Sequence, residues 1–92
     1  MSGIHLSGTL VCRAAREAAI VASCLPEHVQ LTRAERGCVS FEVAPAADPF
    51  VWTVEERFVD AAAFRAHQQR VAGSAWGRAT TGIERRYEVE GL

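Results

Sequence analysis

The sequence predicts an α+β fold of the ferredoxin-like type, with elements in the order βαββαβ and a four-stranded antiparallel sheet carrying its helices on one face. Three observations point there. Four segments alternate apolar and polar residues with period two, two Ala-rich segments carry helical spacing, and 92 residues leave room for a single core. Residues 1–92 are therefore read as one domain.

The first strand is residues 4–13, where Ile4, Leu6, Leu10 and Cys12 alternate with His5, Ser7, Thr9 and Arg13. From Ala14 the pattern turns helical, with Ala15, Ala18, Ala19 and Ala22 on one face and Ile20, Val21 and Leu25 adding bulk. Pro26 is expected to break or kink this helix. A second segment resumes over residues 27–35 and ends at Gly37 as a C-terminal cap. His28, next to that break, reads as a solvated surface residue.

The second strand, residues 38–44, sets Val39, Phe41 and Val43 against Ser40 and Glu42. Residues 45–49, Pro-Ala-Ala-Asp-Pro, cannot continue a ladder and form a hairpin loop into a third strand over residues 50–59. Asp60 is placed to cap a helix over residues 61–71, which Gly73 closes. A short helical turn around Trp76 precedes the fourth strand, residues 83–90, where Ile83, Arg85, Tyr87 and Val89 share a face.

Composition narrows the functional classes. A 49% hydrophobic fraction with 23% charged residues and a net charge of -1 describes a folded chain without the basic excess that nucleic acid requires. No stretch approaches the roughly 18 apolar residues of a membrane helix. All ten basic residues are Arg, so an amine nucleophile for Schiff-base chemistry is absent. Cys12, Cys24 and Cys38 form no C-x-x-C pair, and their odd number suits a reducing, cytoplasmic setting. The chain has no Gly-rich phosphate loop and no H-E-x-x-H or H-x-x-x-H motif, so neither a nucleotide cofactor nor a metal is expected.

The third strand holds an anomaly. Its helix-facing side reads Phe50, Trp52, Val54, Glu56 and Phe58, placing a carboxylate among large apolar groups. On the next helix Phe64, His67 and Val71 recur at i, i+3 and i+7, turning His67 toward the same layer. Glu56 and His67 are therefore expected to pair, with Glu56 holding the imidazole as a general base needs. A satisfied core pair would show the same pattern. Glu55 points to the other face, as does His5. That outer face, with Ser7, Thr9, Glu42, Thr53 and Arg57, is left bare by the helices, and a symmetric homodimer would cover it.

The segments Arg33-Ala34-Glu35-Arg36-Gly37-Cys38-Val39-Ser40-Phe41-Glu42-Val43, Val54-Glu55-Glu56-Arg57-Phe58-Val59-Asp60 and Ala63-Phe64-Arg65-Ala66-His67 together resemble the antibiotic biosynthesis monooxygenase family. They match its E-x-G-C segment and its E-x-aromatic-x-D step over the middle third of the chain, and Ala66-His67 stands where its A-x-H helix would be, with the Ala adjacent to the His. The resemblance implies a dimeric α+β barrel with a pocket between each sheet and its helices. It also implies cofactor-independent monooxygenation of quinols or aromatic polyketide-type substrates, with a small aromatic molecule and dioxygen as partners. On that reading His67 and Glu56 are catalytic, and Phe41, Trp52, Phe58, Trp76 and Tyr87 line the substrate cavity. A branch of the family degrades haem with an Asn, a Trp and a His; this chain has no Asn, and Thr80 stands near where that His would be. The alternative is a non-catalytic dimeric protein that binds a small aromatic or apolar ligand. A third reading is an isomerase or lactone-processing enzyme on the same barrel.

Overall fold

Each of the four alternating segments forms a strand in the computed structural model, which describes residues 3–92. The elements are β1 (Ile4–Val11), α1 (Ala15–Arg33), β2 (Cys38–Pro45), β3 (Val51–Phe58), α2 (Ala61–Ala72), α3 (Ala75–Ala79) and β4 (Glu84–Glu90). The strands form one antiparallel sheet in the order β2-β3-β1-β4. This is the expected ferredoxin-like arrangement. Ile4, Leu6, Leu10, Phe41, Val54 and Phe58 project from the sheet into a core closed by Val21, Phe64 and Trp76 from the helices. Each such side chain contributes about 1.5–3 kcal/mol by leaving water.

The α1 region departs from expectation. Residues 15–33 form one helix with Pro26 inside it, so of the break or kink expected there the break does not occur. Pro26 removes the N–H that would bond the Ala22 carbonyl, but both residues lie on the exposed side of the helix. Water can take that carbonyl, while the buried side stays regular and carries Val21, His28 and Thr32. The helix ends at Arg33 with Ala34 as its cap, so Gly37 is not the C-cap. Gly37 serves close approach instead: a Cβ there would sit 2.2 Å from the Ala63 Cβ of α2. At the helix end, the Arg33 Nε and Nη2 donate to the Phe41 carbonyl at 3.1 and 2.9 Å, tying α1 to the edge strand β2.

Smaller corrections have local causes. A register shift between Cys38 and Ser40 swings Val39 out of alternation, and it is 62% exposed where an inward position was expected. Phe50 belongs to the hairpin, held by its N–H donating to Asp48 Oδ1 at 2.8 Å, and is exposed rather than helix-facing. Asp60 caps α2 as its position predicted, accepting from the Ala63 N–H, and Ser74 caps α3, accepting from the Gly77 N–H. No helix among the described residues is long and apolar enough to cross a membrane.

Candidate functional site

Between the sheet and the three helices lies a cavity of about 60 Å³. Its apolar wall includes Leu6, Leu10, Phe41, Val54 and Trp76, and its polar groups are His28, Glu56, His67, Gln68, Arg85 and Tyr87. Gln68 and Arg85 are exposed, so they stand at the rim where α2 faces β4. Glu56 and His67 meet inside as their strand and helix faces predicted. Three of the five expected lining residues, Phe41, Trp76 and Tyr87, border the cavity. Phe58 packs against His67 with ring centroids 4.9 Å apart, and Trp52 is half-buried on the same sheet face; neither borders the cavity.

The partner that orients His67 is Glu35, not Glu56. His67 Nδ1 lies 3.0 and 3.1 Å from the two Glu35 oxygens, while its Nε2 stands 3.6 Å from Glu56 Oε1, beyond direct hydrogen-bond length. Glu35 also accepts from Arg70 Nε at 2.5 Å, and Arg70 Nη2 donates to Thr32 Oγ1 at 2.9 Å. A carboxylate engaged by a guanidinium can only accept, so Nδ1 carries the proton and the Nε2 lone pair is left toward Glu56. Burial lowers the His67 pKa, and the hydrogen bond and charge of Glu35 work against that lowering. The imidazole is thus neutral, fixed in one tautomer and supported in its basicity from behind.

Glu56 is isolated by comparison. Its Oε1 is buried and makes no hydrogen bond to any described residue. Burial, reinforced by the charge of Glu35 and opposed by Arg85, pushes its pKa up to about 7. A carboxyl in that range exchanges its proton near neutrality, which suits a group that shares protons with a bound molecule.

Sequence reasoning missed three members of the site. His28 is only 4% exposed, stacked on Trp76 with centroids 4.4 Å apart and planes within 1°, and edge-on to Phe41 at 5.2 Å. Burial first, then the nearby His67, Arg70 and Arg85, drop its pKa to about 3, so it is neutral. Arg85 is clamped by Thr80, whose carbonyl and Oγ1 each accept from it at 2.7 Å. Glu35 lies in the turn after α1, where no periodicity marks it. His5, by contrast, is where its strand position put it, on the outer face and 2.6 Å from Glu55. Among the described residues no group of three or more His, Cys, Asp or Glu is arranged to hold a metal ion.

Comparison with known proteins gives a consistent picture. The antibiotic biosynthesis monooxygenase profile matches residues 5–79. A Deinococcus radiodurans protein provisionally assigned to antibiotic biosynthesis monooxygenases superposes with a TM-score of 0.77 at 21% identity, over 97% of this chain and 91% of that one. A provisionally assigned counterpart from Nitrosomonas europaea gives 0.78 at 13% identity, covering 100% and 92%. A Mycobacterium tuberculosis protein gives 0.77 at 19% identity, covering 99% and 95%. At these identities the likeness is one of fold. No curated protein matches the sequence.

Proposed function

The chain belongs to the antibiotic biosynthesis monooxygenase family, and from that premise we propose that it oxygenates small electron-rich phenols, quinols foremost, with His67 as general base. The observation that carries this reading is the His67 imidazole, its Nδ1 bound to Glu35 and its Nε2 turned toward the cavity. Nε2 takes a hydroxyl proton from the quinol, and the resulting phenolate is electron-rich enough to pass one electron to dioxygen. Recombination at a ring carbon forms a C–O bond, and loss of water leaves a hydroxyquinone. The quinol gives up four electrons and dioxygen takes four, one oxygen atom entering the product and one leaving as water. In this scheme the substrate is its own reductant.

Glu35 and His67 also border a groove on the opposite side, together with Arg70 and Gly37. A proton gained at Nε2 can be balanced by release from Nδ1 through Glu35 toward that surface. Glu56 at 3.6 Å then serves as a second proton-sharing group beside the substrate, in place of the orienting role its sequence position suggested.

Cavity size favours the smaller substrates. At about 60 Å³ it is well below the roughly 150 Å³ of an engineered cavity that admits benzene, so a single ring fits only with movement of the rim residues Gln68 and Arg85. Polycyclic substrates would need far more. The proposed setting is a cytoplasmic homodimer joined through the outer sheet face, where the ladder pairs Ser7 with Glu55 and Thr9 with Thr53. Oxygen uptake in the presence of hydroquinone tests the function; a ligand-binding protein would show affinity without consumption.

A further inference from the structure

We propose that His28 is a substrate-binding residue, its Nδ1 hydrogen-bonded to a hydroxyl oxygen of the aromatic molecule held in the cavity. This deepens the reading of the site as a phenol-binding cavity and rests on it. Three observations carry it. His28 borders the cavity. Its Nδ1 is buried and makes no hydrogen bond to any described residue, a condition that is costly unless something in the cavity bonds it. The ring is also rigid, clamped by the parallel Trp76 indole at 4.4 Å and the Phe41 edge at 5.2 Å, so the nitrogen is preorganised.

Geometry defines what it would hold. The His28 and His67 ring centroids are 6.1 Å apart, so hydrogen bonds of about 2.8 Å from the two rings can converge on one oxygen or on neighbouring oxygens of one small ligand. A hydroxyl group suits a neutral imidazole in either tautomer, because it both donates and accepts. An anionic headgroup would gain little from such a ring. The site thus selects an uncharged hydroxylated ring over an apolar ring of the same shape.

The test is binding, read separately from turnover. The full chain with 15N-labelled histidines is titrated with hydroquinone and with p-xylene, which keeps the shape and lacks the oxygens, under oxygen-free conditions. Hydroquinone should shift the His28 Nδ1 resonance, and p-xylene should not. His28→Phe, which keeps the stack on Trp76 and removes the nitrogen, should weaken hydroquinone binding at least about tenfold and leave p-xylene affinity within about twofold. An unmoved Nδ1 at saturating hydroquinone, equal hydroquinone affinity in the two proteins, or no hydroquinone binding at all overturns the inference. Should His28→Phe fail to fold, the wild-type titration decides alone. Binding with the His28 signature but no oxygen consumption in air would uphold His28 and remove the oxygenase reading.

Discussion

His67 faces two carboxyls at once: Nδ1 bonds Glu35 at 3.0 Å and Nε2 stands 3.6 Å from Glu56. The two carboxyls differ in what else they touch. Glu35 is held by Arg70 and partly reaches the surface, whereas Glu56 is buried with one oxygen unpartnered. One imidazole is thereby oriented from one side and presented to the cavity on the other.

Glu35→Gln should lower kcat at least about tenfold with the fold intact, because the amide keeps the shape but removes the charge that supports His67. Since Glu35 raises the His67 pKa against burial, its loss should also move the acid limb of the pH–rate profile to lower pH. A limb that stays in place while the rate falls would mean that Glu35 acts only on stability.

Glu56 and His28 should bend the pH dependence of stability in opposite senses. The Glu56 pKa rises on folding from 4.5 to about 7, so the folded chain holds a proton that the unfolded chain has lost between those values. Its contribution is full below the unfolded value and is lost as the pH rises through 7. His28 falls on folding from 6.5 to about 3, so its contribution is full above 6.5 and is lost as the pH drops toward 3. Urea denaturation of Glu56→Gln should show a gain over wild type on the order of 3 kcal/mol at about pH 8 and almost none at about pH 4. His28→Phe should flatten the acid side. A pH-independent difference for Glu56→Gln would contradict the desolvated carboxyl.

Gly37→Ala should destabilise the protein by about 1–3 kcal/mol, since its Cβ would sit 2.2 Å from that of Ala63. Because Gly37 follows Glu35 by two residues and presses on the helix that carries His67, the same substitution should loosen the Glu35–His67 bond. Thermal denaturation and the His67 Nδ1–H exchange rate report the two effects. Unchanged stability would contradict the close packing of this turn on α2.

Much of this site was visible in the sequence, and the omissions have physical reasons. Period-two alternation identified the strands and placed Glu56 inward; helical spacing placed His67 opposite it. His28 escapes because the break or kink expected at Pro26 interrupts the pattern, whereas the helix continues with the missing N–H on the solvent side. Read as one helix, Val21, Leu25, His28 and Thr32 recur at i, i+4, i+7 and i+11, which marks a buried stripe. No periodicity marks Glu35, which sits in an irregular turn and meets His67 only through tertiary packing; the E-x-G-C resemblance contains it but gives it no role. Val39 was misplaced for a related reason, since alternation cannot reveal a bulge.

The outer sheet face should be buried in a homodimer. It presents Thr53 and the charged Glu42, Glu55 and Arg57 as exposed groups in the single chain. Sedimentation equilibrium at micromolar concentration should return twice the chain mass, and charge reversal at Arg57 should shift it toward the monomer. A wild-type monomer would contradict the dimeric arrangement.

The most direct test of the account is oxygen consumption with hydroquinone by the wild-type protein and by His67→Ala, whose dimer should remain folded. The wild type should consume one dioxygen per quinol, forming hydroxyquinone and water, and the variant should be slower by about 10²–10⁴-fold, the range for a lost general base. Equal rates in the two proteins, or bound quinol with no oxygen consumed by the wild type, would contradict it.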